Sequence, residues 1–514
     1  MRPASIASVA VLFAAVIILG VLLRPLFPID ETRYVSVAWE MYLSGDYFVP
    51  TKNGELYGHK PPLLFWLINL AWFFTGVEEL SARLVAPAFA IFNIYLTYRL
   101  GRHLFPDRTD VATRAAIILP SLIAYTIYTS LTMFDALLTT ASLTGLIGIW
   151  QGVRQGTLRA WLLVGVAIGV GVLAKGPVIL FHIAPALIAF PLWSKNARPA
   201  GGLLFRGMGI ALAVGLAIIL CWLLPAIILG GDAYRHEILW KQSAGRVSNV
   251  FDHARPFWFF LMLVPVYLFP WGFNLNFWKG VRGAGRDMGD RFLLVAGLSA
   301  LLLFSLIGSK QAHYLVPEMP VLALLVASAL GRVTWRRALD WSTPLIAIGA
   351  LVLAVLLGFG LIDTAEISTA PGTLALALVA LALVALGGWV VGSVQAATVW
   401  SLALIAVVNV GISTTPTLPQ YRMDAFVSAF EGRPGHQIAY FGDKYHAEFN
   451  FLARFETPVY LPNSQADILE WAASQPDGLV VAREDAVAFD LRPQQTIVYR
   501  GKAYGIWRAA DLLR

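Results

Sequence analysis

The chain has 514 residues, of which 58% are hydrophobic and 13% charged, with a formal net charge of +7. Soluble domains carry about 25% charged residues, so this composition and a mean hydropathy of +0.68 exclude a water-soluble protein and predict an all-α polytopic membrane protein. The basic excess forms no stripe on a soluble domain, which excludes a nucleic-acid reader, and the single cysteine, Cys221, excludes an intramolecular disulfide and argues against a thiolate metal site.

From the N-terminus, Arg2 precedes an apolar run over 6–23 that leads into LLRPLFP without a small-residue cleavage pattern, and so predicts an uncleaved first span. Further spans of about 20 apolar residues are predicted near 81–104, 114–131, 135–152, 160–174, 176–193, 204–229, 257–279, 291–308, 312–330, 343–361, 373–392 and 395–412, thirteen with the first at 6–27. PPLLFWLINLAWFFTG, 61–76, is short and opens with two prolines. Proline is tolerated in the first turn of a helix, and this length predicts an interfacial or re-entrant helix. The positive-inside rule agrees. With the N-terminus cytoplasmic, the inner loops carry Arg99, Arg102, Arg108 and Arg114, then Arg154 and Arg159, Lys195, Arg198 and Arg206, Lys279, Arg282, Arg286 and Arg291, and finally Arg332, Arg336 and Arg337. Counting 61–76 as a span would put every later group of these bases outside.

Four regions then face outward: the loop 28–60, the loop 230–256, the junctions around Asp135, Lys175 and Lys310, and the segment 413–514. In the last, HQIAYF, GLVVAR, TIVYR and YGIWR are predicted strands, and NSQADILEWAASQ a helix capped by Asn463 or Ser464. The expected organisation is a membrane domain over 1–412, with 28–80 as its first outer loop, and a small outer α/β domain over 413–514. No internal repeat of the kind that marks secondary transporters is visible.

PIDETRYVSVAWEM, 28–41, packs Asp30, Glu31, Arg33 and Glu40 into a charge-poor chain. Tyr34, Val37, Ala38, Met41 and Tyr42 recur at helical spacing, predicting an amphipathic helix over 31–44 on the outer membrane face, with Asp30 at its N-cap. Asp30 is then either a plain cap or part of a site. YGHKPPLLFWL, 57–67, sets His59 and Lys60 before the next apolar helix. A loop bringing Asp30, Arg33, His59 and Lys60 to one membrane–water boundary has the parts for moving a group off a lipid phosphate: a carboxylate as base or orienting group and cations for the departing phosphate. Asp135 and Lys175, ionisable groups at predicted span ends, are site candidates by default. GSKQAHY, with Lys310, His313 and Tyr314, is a candidate lipid-phosphate site, and Arg246 and His253 candidate loop contacts. His182, in an apolar run, is expected as a hydrogen-bonded core histidine. Trp66, Trp72, Trp258 and Trp271 are expected in the interfacial belt, and the glycines of GVGVLAKG between packed spans.

The pattern DETRY…A.EM…GDYFVP…KPPL, with LAKGP and a terminal soluble domain, resembles the bacterial membrane glycosyltransferases of the GT-C class. It is most similar to the protein-mannosyltransferase-like family that includes the lipid A aminoarabinose transferase, over residues from about 6 to about 330. The resemblance implies transfer of a sugar from a polyprenyl-phosphate carrier to an envelope acceptor, a lipid A-type glycolipid before another glycan or a protein, at the periplasmic face of a bacterial inner membrane. It implies that Asp30 lies at the catalytic centre, with Asp135 a second acid. Arg33 stands beside Asp30, and Lys60 near the donor phosphate. Lys175, Lys310, His313 and Tyr314 line the same cavity. His59 stands where the aminoarabinose transferase has a glutamate, and Gln242 or Ser243 where it has a histidine. A complete metal pair is therefore not carried over, and a divalent ion on His59 with Asp30 or Asp135 is the one cofactor left open. The rival classes are a transporter or flippase of lipid-linked sugars, a protein O-glycosyltransferase, and a non-catalytic envelope scaffold.

Overall fold

The computed structural model describes residues 4–194, 201–238, 254–361 and 368–513. In chain order come α1 (Ala4–Leu23), α2 (Asp30–Ser44), the strands β1 (Thr51–Lys52) and β2 (Glu55–Leu56), α3 (Leu63–Thr75), α4 (Glu79–Leu104), α5 (Thr109–Ile118), α6 (Ile123–Thr129), α7 (Asp135–Gln155), α8 (Leu158–Lys175), α9 (Ile179–Ile188), α10 (Phe190–Trp193) and α11 (Gly201–Leu229). Among the described residues nine helices are long and apolar enough to cross a membrane, or ten if α5 and α6, which meet at a 64° bend, form one span. Pro120 sits at that bend and removes a backbone donor.

The remaining three of the thirteen expected spans fall on shorter apolar helices, Ile179–Ile188, Phe259–Leu268 and Ser342–Gly358. Thirteen is reached only by counting these. Prolines divide the first two segments: Pro185 lies inside α9 and Pro191 opens α10, and Pro265 and Pro270 interrupt 257–279. The 13-residue α3 covers about 20 Å at 1.5 Å per residue, short of a hydrocarbon core of roughly 30 Å. Its Phe73 and Phe74 are exposed.

The chain forms two compact units that interleave in sequence, one from 1–23, 59–64 and 83–414, the other from 24–58, 65–82 and 415–514. In the first, α8 packs between α7 and α11 through glycines. A Cβ on Gly169 would lie 2.6 Å from Cβ of Ile218, and one on Gly165 2.7 Å from the Ala211 carbonyl, so the close approach needs the missing side chains. Bases assigned to the inner face meet there. Arg108 pairs with Asp287 at 2.7 Å and donates to the Ser328 carbonyl at 2.8 Å, and Arg332 pairs with Asp290.

The second unit holds a four-stranded sheet in the order β3-β4-β6-β5, from β3 (Ile438–Phe441), β4 (Leu479–Arg483), β5 (Gln495–Tyr499) and β6 (Lys502–Arg508). β3 and β4 are parallel and the other pairs antiparallel. All four strands lie where the apolar runs predict them. The crossover helix Gln465–Ser474 is closed by a capping box between Ser464 and Asp467, and buries Ile468, Trp471 and Ala472 against Ala439, Val480 and Trp507. The opposite sheet face packs Tyr440, Val481, Tyr504 and Ile506 on Phe426, Phe430 and Phe449.

Residues 24–58 and 65–82, most of the loop that follows α1, belong to this unit. Ser36 Oγ donates to the Ala447 carbonyl at 2.7 Å and accepts from Phe451 N at 3.2 Å. The Trp39 indole donates to the Phe455 carbonyl at 2.9 Å, and Trp72 stacks on Phe451 at 5.5 Å. Glu40 accepts from Thr51 Oγ1 at 2.8 Å, Gly54 N at 3.0 Å and Asn450 Nδ2 at 3.2 Å, and also from Asn53 N. Thus α2, expected to lie half-exposed on a membrane surface, is buried on most sides, because the terminal segment covers its polar stripe.

Candidate functional site

In the first unit, chemistry gathers where α7 begins and α8 ends. A short turn at Gly156 makes the two helices antiparallel neighbours, so the first residue of one meets the last of the other. α8 stops there because Gly176 takes φ +80° and Pro177 follows. The acid sits at a helix N-terminus and the base at a C-terminus, as the helix dipoles favour. Lys175 Nζ donates to Asp135 Oδ1 at 2.6 Å, the side chains being 10% and 1% exposed. Asp135 Oδ2 is buried and has no hydrogen-bond partner among the described residues. Lys175 Nζ also lies 5.1 Å from the centre of the Tyr314 ring. His313 packs against Tyr128 at 5.8 Å. Lys60 Nζ stands 5.9 Å from the Phe134 ring, and Lys175, His313 and Lys60 are all electrostatic neighbours of Asp135. The structure thus brings together Lys60, Asp135, Lys175, His313 and Tyr314, five of the expected site residues.

Lys310 is turned elsewhere: its Nζ donates to the Arg255 carbonyl at 2.9 Å, fastening the junction 308–310 to 254–255. Gln242, Ser243, Arg246 and His253 lie outside the described residues. His182 is the buried, hydrogen-bonded histidine expected, its Nδ1 2.8 Å from Glu318 Oε1. Trp72 and Trp271 are core residues, not belt residues; the Trp271 indole donates to Ser121 Oγ at 2.9 Å.

In the second unit the adjacent carboxylates Asp30 and Glu31 have different fates. Glu31 is buried, pairs with buried Arg24 and accepts from Phe27 N at 3.1 Å, so it is structural. Asp30 remains 46% exposed, pairs with Arg33 and accepts from the Tyr34 hydroxyl at 3.1 Å. It is the first helical residue, not the N-cap: Ile29 holds that position, without a side-chain cap. The i, i+3 and i, i+4 spacing explains why its oxygen turns to Arg33 and Tyr34. Burial works against the Arg33 charge, but Tyr57, Tyr34 and Asp30 more than offset it and hold the guanidinium above its ordinary range. Burial, and then the Asp30 charge, push Tyr34 well up, so it stays a donor. Tyr34 and Tyr57 were missed from sequence, where Tyr34 stands as an apolar-face residue and Tyr57 only precedes His59 and Lys60; the i, i+4 spacing of Asp30 and Tyr34 was the available signal. His59 is exposed. Among the described residues no group of three or more His, Cys, Asp and Glu converges on one point.

Residues 59–225 match the family described as dolichyl-phosphate-mannose-protein mannosyltransferase. An undecaprenyl phosphate-α-4-amino-4-deoxy-L-arabinose arabinosyl transferase of Pseudomonas paraeruginosa is 31% identical over 59% of this chain and 55% of its own length. One from Pectobacterium atrosepticum is 31% identical over 69% and 65%. The chain therefore spans between half and two thirds of the curated relatives it matches. A crystal structure of ArnT from Cupriavidus metallidurans bound to undecaprenyl phosphate superposes with a TM-score of 0.76 at 19% identity, over 98% of this chain and 97% of that one, and shows a common fold. The chain is a multi-pass membrane protein of the GT-C fold, and in sequence it resembles the protein-mannosyltransferase-like glycosyltransferases, the aminoarabinose transferases among them.

Proposed function

We propose that the protein is a glycosyltransferase that moves a sugar from a polyprenyl-phosphate carrier to an envelope acceptor, a lipid A-type glycolipid first, at the periplasmic face of a bacterial inner membrane. In this scheme 1–412 is the membrane part, 28–80 its first periplasmic loop, and 413–514 the periplasmic soluble part. The observation that carries the proposal is the convergence of Lys60, Lys175 and His313 on buried Asp135 at the ends of membrane helices, with one carboxylate oxygen unpartnered among the described residues. An isolated buried charge there is costly, and an orphaned acceptor beside cations suits a polar, phosphate-linked substrate.

Lys60 holds the donor phosphate and stabilises it as it departs, the larger electrostatic contribution to such a reaction. Asp135 Oδ2 accepts from a hydroxyl or ammonium of the sugar, fixing its orientation. On the sequence resemblance, Asp30, half-exposed and steadied by Arg33 and Tyr34 within its own unit, is assigned the role of taking the proton of an acceptor hydroxyl or orienting an acceptor phosphate that is already ionised. The acceptor oxygen bonds to the anomeric carbon as the bond to the carrier phosphate breaks, through an oxocarbenium-like state. The electron pair leaves with the phosphate. No nucleotide is needed, since the carrier lipid activates the sugar.

Asp30→Asn is expected to abolish transfer while the protein still inserts. Mass spectrometry of envelope lipids from wild-type, Asp30→Asn and deletion cells checks this. A glycan mass confined to wild type supports the assignment, and near-normal product from the variant sinks it. Movement of carrier across liposomes without its consumption would favour a flippase instead.

A further inference from the structure

A cavity of about 500 Å3 opens within the second unit, where the β1–β2 hairpin of the first loop faces the carboxyl ends of β3 and β4. Small-molecule sites span about 300–1,000 Å3, and parallel strands place ligands outside their carboxyl ends. Here the loop after β3 supplies Asp443 and Lys444, the turn after β4 supplies Ala486, and the hairpin supplies Lys52 and Glu55.

The charges in the wall are unevenly committed. Asp443 is fully engaged: it accepts from Arg483 at 2.9 Å, from Lys502 at 2.9 Å and from the Tyr504 hydroxyl at 2.6 Å. Its charge is thereby cancelled within the fold. Lys444 is exposed at the cavity, and Lys52 is half-buried with a 3.3 Å bond to the Tyr445 carbonyl. Glu55 and Asn463 stand exposed at the rim. Burial first, and then Arg33, Lys52, Lys444 and Arg500, push the pKa of the neighbouring His446 down to about 4. With Asp443 neutralised within the fold, Lys52 and Lys444 stand in the wall against the single carboxylate of Glu55, and the cavity adds a half-buried aromatic face, Phe441, and the Asn463 amide, groups suited to a sugar ring and its hydroxyls.

We propose that this cavity binds a phosphorylated saccharide, the phosphate held by Lys444 and Lys52 and the ring set against Phe441 and Asn463. The inference rests on the transfer reading and gives it an acceptor class, the phosphosugar head of a glycolipid. Neither lysine is one of the groups assigned above to catalysis.

The test is isothermal titration of the full-length detergent-purified chain with three probes: glucosamine 6-phosphate, glucosamine and inorganic phosphate. Saturable binding of the ester is expected, at least ten-fold tighter than of either fragment. Lys444→Glu, at an exposed position that folding tolerates, should weaken the ester ten-fold or more, and Lys52→Gln should weaken it in the same direction. Absence of saturable binding, equal affinity for inorganic phosphate alone, or unchanged affinity in both variants would overturn the proposal. The two readings fail separately. Ester binding by a chain whose cells show no glycan product would sink the transferase and leave the saccharide site. Transfer with an unchanged acceptor KM in Lys444→Glu would do the reverse.

Discussion

Replacing Lys175 by methionine keeps most of the stem and removes the ammonium. In the wild type Asp135 has one oxygen bonded at 2.6 Å and the other unpartnered among the described residues, in a residue 1% exposed. In the variant that bond is gone. Removing one member of a buried ion pair costs about 3–5 kcal/mol, because the remaining charge stays buried. At 1.4 kcal/mol per factor of ten, the folded population falls by roughly two to almost four powers of ten relative to the unfolded. Adding Asp135→Asn removes the stranded charge, so the double variant should recover more than half of the loss. Thermal melting in detergent, followed by fluorescence-detected size exclusion, gives the four corners of the double-mutant cycle. Assays of sugar transfer on the same four proteins separate stability from chemistry: the double variant is expected to fold and to remain inactive. Melting of Lys175→Met within about 1 °C of wild type would refute the electrostatic reasoning. Restored transfer in the double variant would show the pair to be only structural.

Glu40→Ala removes the acceptor that ties β1–β2 to α2 and to Asn450. Hydrogen bonds to charged groups contribute about 1.5–3 kcal/mol each, and the hairpin at 51–56 should become the first site of limited proteolysis. Gly169→Leu drives a side chain into Ile218 and should cost about 1–3 kcal/mol by overpacking, whereas Gly209→Ala, with nothing within 4 Å, should melt no lower than wild type. His446, held near pKa 4 in the folded chain against about 6.5 unfolded, binds protons more readily when unfolded. Its neutral form gives stability that is present above pH 6.5 and lost as pH falls from 6.5 towards 4. His446→Asn should therefore lose less melting temperature than wild type between pH 7 and pH 5.

Periodicity and charge made the membrane class, the helix positions and the four terminal strands legible, because each is a local property of a short stretch. The Asp135–Lys175 pair was legible as two span ends, and its contact follows once α7 and α8 are known to be antiparallel neighbours. The burial of α2 was not legible. Its polar stripe, Ser36 and Glu40, has a surface pattern until residues some 410 positions away supply partners. Lys310 was equally opaque, since a lysine at an outer junction has the same sequence signature whether it meets a substrate or a backbone carbonyl. The outer cavity escaped notice because its wall comes from four separated stretches, none with a motif of its own.

The bond from Ser36 to Ala447 crosses 411 positions, and it sets a timetable for biosynthesis. At translation rates of about 5–20 residues per second, the first loop waits roughly 20–80 s before its partner segment has been made. Through that interval Val35, Trp39 and Trp72 lack the covering they have in the finished chain. The second unit can therefore close only after the last apolar helices have been made, and a nonsense codon anywhere before the terminal sheet would leave the Asp30 loop unsupported as well as deleting the sheet. Quality control of this protein should accordingly read its C-terminus, with truncated chains degraded even when every membrane helix is present.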